Sequence, residues 1–456
     1  MTRFEELRQK YPVFRYDRFE FQRGHSGVTG RFHFTIPPDI AFTPEVHFAP
    51  VREGWFAVPD AAVSNAVFHL GLIEALSYWK ATASPRFEVH AGSLTGEQVQ
   101  WWADLLIHGM GEFFYRNDID FTQHDFVKIV SAGSDTFSLY SASLPQRSLL
   151  TIGGGRDSAL AAGLLRDSGH PFTCMMLNPS SAASRIAAQV TSADPVVIRR
   201  SISPDLLELN RLGFLNGHTP FSAYLGFLGV VCLLLYGYSD VIVANERSSD
   251  EGNLGYRGRE INHQYSKSFR FERLFDQYLS TYLVKAGHYF SFVRPLYELQ
   301  IGKLFSSFPG FFDVFKSCNR SRSDSWCGEC AKCVSVFLTM YPFVPRSALL
   351  KVFGADLFDR SGTIPIVREL VGDNTKPFEC VATRAEILAA LALSIQKAKE
   401  SGEPLPGVLD YASKNVPGAT DLTSAAAILA SYGPHRLPQE LENFLTKALN
   451  KSPRSR

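Results

Sequence analysis

Residues 153–158 read Gly-Gly-Gly-Arg-Asp-Ser, a run whose residue types suit an anion. Glycine takes positive φ at little cost and lets the backbone approach a ligand closely. The run follows the short apolar stretch Leu149-Leu150-Thr151-Ile152 and precedes helix formers from Ala159 to Arg166, so it is expected to turn a strand into a helix. Free N–H groups at such a helix start, aided by the helix dipole, favour a group such as pyrophosphate. On this reading Gly153, Gly154 and Gly155 supply the close backbone, Ser158 a hydroxyl donor and Arg156 a charge. Asp157 would hold magnesium through oxygen, because a carboxylate alone repels phosphate. The terminal Gly-Lys-Ser/Thr of the common P-loop is absent, as is the spacing of the dinucleotide fingerprint. A merely structural turn is the plainer alternative.

A second cluster lies downstream. Cys318, Cys327, Cys330 and Cys333 form C-x8-C-x2-C-x2-C. Four thiolates so close together suit tetrahedral zinc, and a site with four protein ligands leaves no open position for water, so its role is structural. Four unrelated cysteines and an iron–sulfur cluster are the alternatives. Cys174, Cys232 and Cys380 have no such company and read as small apolar core residues.

These motifs need elements to hold them. From Ser148 onward strand-like and helix-like stretches alternate, with Phe172 to Leu177 and Asp240 to Ala244 as further buried strands. That alternation predicts an α/β fold with a doubly wound parallel sheet. The 18 uncharged residues from Phe221 to Tyr238 approach the length of a membrane span, but Ser222, Gly226, Gly229 and Gly237 interrupt them, and a buried core helix fits better. Residues 1–146 read as an N-terminal α+β domain for substrate, with strands such as Arg31 to Ile36 and helices near Ala61 to Lys80 and Glu97 to Phe114. Residues 147–345 form the nucleotide-binding domain with the four cysteines, and 346–456 a helical C-terminal region that includes the capping-box sequence Thr383-Arg384-Ala385-Glu386.

Bulk composition narrows the class. With 456 residues, 45% hydrophobic and 20% charged, the chain has the make-up of a multidomain soluble protein. Its 46 basic and 45 acidic residues leave a net charge of +1, without the basic excess of a nucleic-acid binder. The charged start Met1-Thr2-Arg3-Phe4-Glu5-Glu6-Leu7 is unlike a signal peptide, so the cytoplasm is expected.

The glycine turn resembles the PP-loop of the ATP pyrophosphatases, Ser-Gly-Gly-x-Asp-Ser. Gly154, Gly155, Asp157 and Ser158 match, and Gly153 stands where that pattern has its first serine. The resemblance implies an HUP-like fold, ATP and magnesium as cofactors, and cleavage of ATP to AMP and pyrophosphate. The cysteine spacing, with Arg294-Pro295-Leu296-Tyr297-Glu298-Leu299 before it, is similar to the 7-cyano-7-deazaguanine synthases, which also activate a carboxylate. About 145 residues before the turn and 110 after the cysteines lie outside that likeness.

Over its whole length the chain resembles the UDP-N-acetylmuramoyl-L-alanyl-L-glutamate epimerases. The stretches that carry this are Leu76 to Lys80, Gly111 to Tyr115, Gly153 to Ser158, Asn216 to Pro220, Asn245 to Ser248 and Lys376 to Cys380. The resemblance implies inversion of the terminal L-glutamate of a UDP-linked dipeptide in peptidoglycan precursor synthesis. Adenylation would make the α-proton acidic enough for a base to remove. His218, in a loop flanked by Gly217 and Pro220, is a candidate that would titrate near neutrality. Glu246 and Asp250 follow the strand ending at Ala244 and suit the carboxyl end of the sheet as base or magnesium ligands. A hydrogen-bonded loop histidine and solvated loop charges are the plainer readings of these three. Lys80 and Arg116 could meet substrate phosphates. Two other functions compete: an AMP-forming carboxylate–ammonia ligase or other PP-loop enzyme, and a nucleotide-binding protein without catalysis.

Overall fold

A computed structural model describes residues 1–52, 54–320, 325–372, 375–402 and 404–451. The chain begins with a helix, Arg3–Lys10, and a long hairpin of β1 (Val13–Gly24) and β2 (Gly27–Ile36). Short strands β3 (Ile40–Phe42) and β4 (Glu45–Phe48) pair antiparallel with β2. Along β2 deep burial falls on alternate residues from Val28 to Ile36, the pattern of a strand with one face on a core. Strands β5 (Arg86–Val89) and β6 (Lys128–Ser131) then add parallel to β1.

Beyond β6 the pattern is strand then helix. β7 (Ser148–Thr151), β8 (Phe172–Leu177), β9 (Val196–Ser201), β10 (Asp240–Val243) and, past the small hairpin β11 (Leu254–Tyr256) and β12 (Arg259–Ile261), β13 (His288–Ser291) follow among the described residues. The 11-stranded sheet runs β13-β10-β7-β8-β9-β4-β2-β1-β5-β6, with β3 off that path. Its β13-to-β9 half is parallel throughout, as expected for a doubly wound α/β fold. The antiparallel pairing of β9 with β4 fuses this half to the N-terminal strands, so one mixed sheet crosses the molecule.

The uncharged stretch folds as the helix Phe221–Tyr236, almost wholly buried. It lies so close to β10 that a Cβ on Gly229 would come within 2.7 Å of Val241, so glycine is what permits the contact. Among the described residues no helix is long and apolar enough to cross a membrane. The apolar stretch near Glu97 to Phe114 forms two helices, Gly96–Gly109 and Gly111–Arg116, separated at Met110. Helices from Arg346 onward pack mainly on one another and on Ala331–Met340. Thr383 caps Arg384–Glu400 with the reciprocal Glu386 bonds expected of a capping box.

Candidate functional site

Consecutive connections from β7 lead through β8 to β9, yet β10 returns to the other side of β7. The switch in direction therefore falls between β7 and β10, and the crevice beyond their carboxyl ends is where such sheets bind ligands. Residues 153–158 follow β7 into this crevice, and Asn245 and Glu246 follow β10.

The turn has the shape that its sequence suggests. Gly154 takes φ +95°, and a Cβ there would lie 3.0 Å from Ser180 Oγ and from the Ala183 amide. Gly155 is the N-cap of Arg156–Ser168 without a side-chain cap. Ser180 caps the neighbouring helix Ser181–Val190, so two helix starts converge on one glycine turn, which suits an anion. The Lys316 amide donates to Gly154 O at 2.8 Å and the Arg156 amide to Ser317 Oγ at 3.1 Å, pinning the turn from behind. Ser158 Oγ donates to Gly155 O at 3.1 Å.

Arg156 departs from the expected role of a phosphate contact. Its side chain is 1% exposed and turns inward, where Nη2 donates to Glu298 Oε2 at 3.0 Å, Nη1 to Thr339 Oγ1 at 2.7 Å and Nε to Asp157 Oδ1 at 3.1 Å. Glu298, fully buried, also accepts from Lys332 Nζ at 3.1 Å. Burial works against the Asp157 carboxylate, but Arg156, Lys332 and Lys267 outweigh it and hold its pKa below the ordinary value. Asp157 therefore stays ionised in the first turn of Arg156–Ser168.

Glu246 is 1% exposed. Burial, with help from Asp157 and Glu298, pushes its pKa up against the pull of Lys267 and Lys332, and Oε1 has no hydrogen-bond partner among the described residues. Arg294 fixes this loop from beneath: Nη1 donates to Glu246 O at 2.8 Å, Nε to Glu272 Oε2 at 3.0 Å, and Nη2 to Lys267 O. Asp250 serves the scaffold. Its Oδ1 accepts from the Phe269 amide at 2.7 Å, helping Ser268 cap the helix Phe269–Tyr278.

His218 is half-buried, with Nδ1 unpartnered among the described residues. Burial and the nearby cations Lys267, Lys80 and Arg116 push its pKa down to about 4, so it does not titrate near neutrality as its loop setting suggested. Lys80 Nζ donates to Gly217 O at 2.9 Å in the same loop, and Arg116 lies over the Phe378 ring, 5.0 Å from its centroid. The N-terminal helices thus bring Lys80 and Arg116 to the His218 loop.

The residues around Cys380 were not expected from the sequence. Cys380 is half-buried beside polar groups, not an apolar core residue: Lys267 Nζ lies 3.2 Å and His263 Nε2 4.0 Å from its Sγ. Lys267 keeps a raised pKa despite burial because Cys380, Glu246 and Asp157 favour its charge. No spacing rule marks Lys267 or His263. Cys380 alone had a signal, since it ends one of the stretches that carry the family resemblance.

The four clustered cysteines do meet. The ligand atoms of Cys318, Cys327, Cys330 and Cys333 lie within 4.8 Å of one another, near the ~3.8 Å separation of sulfurs around one tetrahedral ion with ~2.3 Å bonds. The donor set can hold a metal. Cys330 caps Ala331–Met340, and the Lys332 amide in its first turn donates to Glu379 Oε2 at 2.7 Å. The cluster thereby anchors the helix that holds both Glu298 and the Glu379–Cys380 segment.

The description "MurL N-terminal domain" matches residues 5–292 and "MurL C-terminal domain" matches residues 314–425. The chain belongs to the MurL family. Relatives named UDP-N-acetyl-alpha-D-muramoyl-L-alanyl-L-glutamate epimerase support the assignment. One from Xanthomonas oryzae pv. oryzae is 31% identical over 94% of this chain and 96% of its own. One from Micromonospora sp. is 33% identical over 83% and 85%, and one from Salinispora tropica 35% over 84% of each. The two family-model ranges include the glycine turn, the Glu246 loop, Lys267 and Cys380.

Proposed function

We propose that this chain inverts the terminal L-glutamate of UDP-N-acetylmuramoyl-L-alanyl-L-glutamate, using ATP and magnesium and releasing AMP and pyrophosphate. The observation that supports this most is the near full-length match to relatives bearing the epimerase name. The setting would be the cytoplasm, in the synthesis of peptidoglycan precursors.

The chemistry needs activation because a carboxylate holds its α-proton tightly: removing it creates a dianion. ATP supplies the adenylyl group that turns the α-carboxylate into an electron-withdrawing mixed anhydride. Gly153, Gly154 and Gly155, with the helix start behind them, cradle the phosphates, and Ser158 lies in the same first turn. Asp157, ionised and part-exposed, would hold the magnesium. Arg156 acts indirectly, orienting Asp157 from the core.

The cations of the N-terminal helices, Lys80 and Arg116, suit the diphosphate and carboxylates of the substrate. A bound anion would offset the part of the His218 shift that these cations cause. Glu246, with its raised pKa and unpaired oxygen, suits proton transfer or a hydrogen bond to the enolate oxygen. Asp250 is assigned to positioning the loop.

Zinc is the metal we assign to the cysteine cluster. Purified protein is expected to contain one zinc per chain by elemental analysis. Cys333→Ser should lose that zinc and about 3 kcal/mol or more of stability in urea titration. Equal stability of the metal-free variant would remove the structural role.

The function is tested with purified protein, ATP, magnesium and the UDP-linked L-alanyl-L-glutamate substrate, reading AMP, pyrophosphate and glutamate chirality after acid hydrolysis. AMP appearing with D-glutamate is the expected result. Glutamate that stays entirely L would defeat the proposal.

A further inference from the structure

Asn253 decides the state of His263. Its Nδ2 donates to Pro377 O at 2.9 Å and Lys376 O at 3.3 Å, and its Oδ1 accepts from the His263 amide at 2.9 Å. The same oxygen lies 2.9 Å from His263 Nδ1. An amide oxygen can only accept, so Nδ1 carries the ring proton and Nε2 presents a lone pair. That lone pair faces Cys380 Sγ at 4.0 Å. Burial, reinforced by His218, Lys267, Lys376 and Arg116, keeps the ring neutral with its pKa far below the ordinary value.

A thiol, a neutral imidazole whose Nε2 lone pair faces it and an amide that orients the imidazole match the arrangement found at nucleophilic cysteines. Here an ammonium is added, since Lys267 Nζ lies 3.2 Å from the sulfur. A second observation points to a ligand. Glu246, one of the charges acting on Lys267, is 1% exposed and has an oxygen with no partner among the described residues. Buried acceptors in folded proteins are normally paired, and a bound substrate would supply the donor. Cys380 is separate from the four-cysteine cluster.

We infer that Cys380 is a proton carrier of the epimerisation, taking the glutamate α-proton on one face with Lys267 balancing the charge on sulfur. This rests on the epimerase reading above. In the step, the Cα–H bond breaks and an S–H bond forms, while the electron pair passes through the activated carboxyl to its oxygen as an enolate. A second acid delivers a proton to the opposite face as the pair returns to Cα. The Cys380 S–H then gives its proton to solvent, which restores the thiolate. In the reverse direction Cys380 returns the proton. No oxidant or reductant is needed.

The test uses the full chain with Cys380→Ala and Cys380→Ser, ATP and magnesium in D2O, starting separately from the L-glutamate and D-glutamate forms of the substrate. AMP release, α-deuterium and chirality are read, with melting temperature as a control for folding. In both variants, epimerisation should fall about a hundred-fold or more, the usual weight of a general base, while AMP release stays within about tenfold. Exchange should be lost from one diastereomer and persist in the other, whose proton faces the remaining base. A purely structural cysteine would not produce that asymmetry. Equal exchange from both diastereomers, loss of AMP release, or a stable acyl-Cys380 adduct in wild-type protein by intact mass would overturn the proposal. Wild-type protein that makes no AMP and exchanges no proton would instead fail the epimerase reading itself.

Discussion

Asp157→Asn is expected to lower AMP release and D-glutamate formation together, by about a thousand-fold, the scale of losing one preorganised electrostatic group in an active site. Two observations set the size. Asp157 is the acidic group of the glycine turn, held ionised by Arg156, Lys332 and Lys267 against the cost of burial, and asparagine removes the charge that would hold magnesium. The fold should survive, because the asparagine oxygen can still accept from Arg156 Nε and Arg156 keeps Glu298 and Thr339. Steady-state AMP release and a thermal melt on the same preparation separate the two effects. Near wild-type AMP release from a folded variant would remove Asp157 from the chemistry.

Glu298→Gln should act on stability instead, costing about 3–5 kcal/mol, the usual loss on breaking a buried ion pair from one side. Glu298 is fully buried and is the shared counter-ion of Arg156 and Lys332, 1% and 7% exposed. A glutamine keeps an oxygen for one cation but turns N–H groups toward the other. Both cations then depend on Asp157, whose carboxylate belongs to the glycine turn. The urea midpoint measures the loss. Adding Lys332→Met should restore part of it by removing the cation left unpaired, and the double-mutant cycle isolates the coupling. A Glu298→Gln variant within about 1 kcal/mol of wild type would show that this network is dispensable.

What could be read from the sequence follows the range of the signal. The strand before the glycines, the helix after them and the strand Phe172–Leu177 are local patterns, and they fold as expected. The cysteine spacing is equally local, since Cys330 caps Ala331–Met340 and Cys333 lies in its first turn. The capping box at Thr383 needs only four residues and is present. The fusion of the two halves through β4 and β9 was not legible, because antiparallel pairing of Glu45–Phe48 with Ile198–Ser201 joins segments some 150 residues apart.

The site shows the same division. Glu246 was legible because it follows a buried strand, and strands of such sheets deliver ligands at their carboxyl ends. Its burial was not, because that depends on Arg294 drawing the Glu246 and Lys267 backbones together. The inward turn of Arg156 depends on Glu298, 142 residues away. Cys380 depends on Asn253 and His263, which only the packing of the Lys376–Cys380 segment brings to it.

On the proposed function, ATP makes the glutamate α-proton exchangeable in this chain. The most direct test incubates the protein with substrate and magnesium in D2O, with and without ATP, and reads α-deuterium in the recovered D- and L-glutamate. The expected result is D-glutamate carrying α-deuterium, formed with AMP and only when ATP is present. D-glutamate free of deuterium, or exchange of equal rate without ATP, would contradict it.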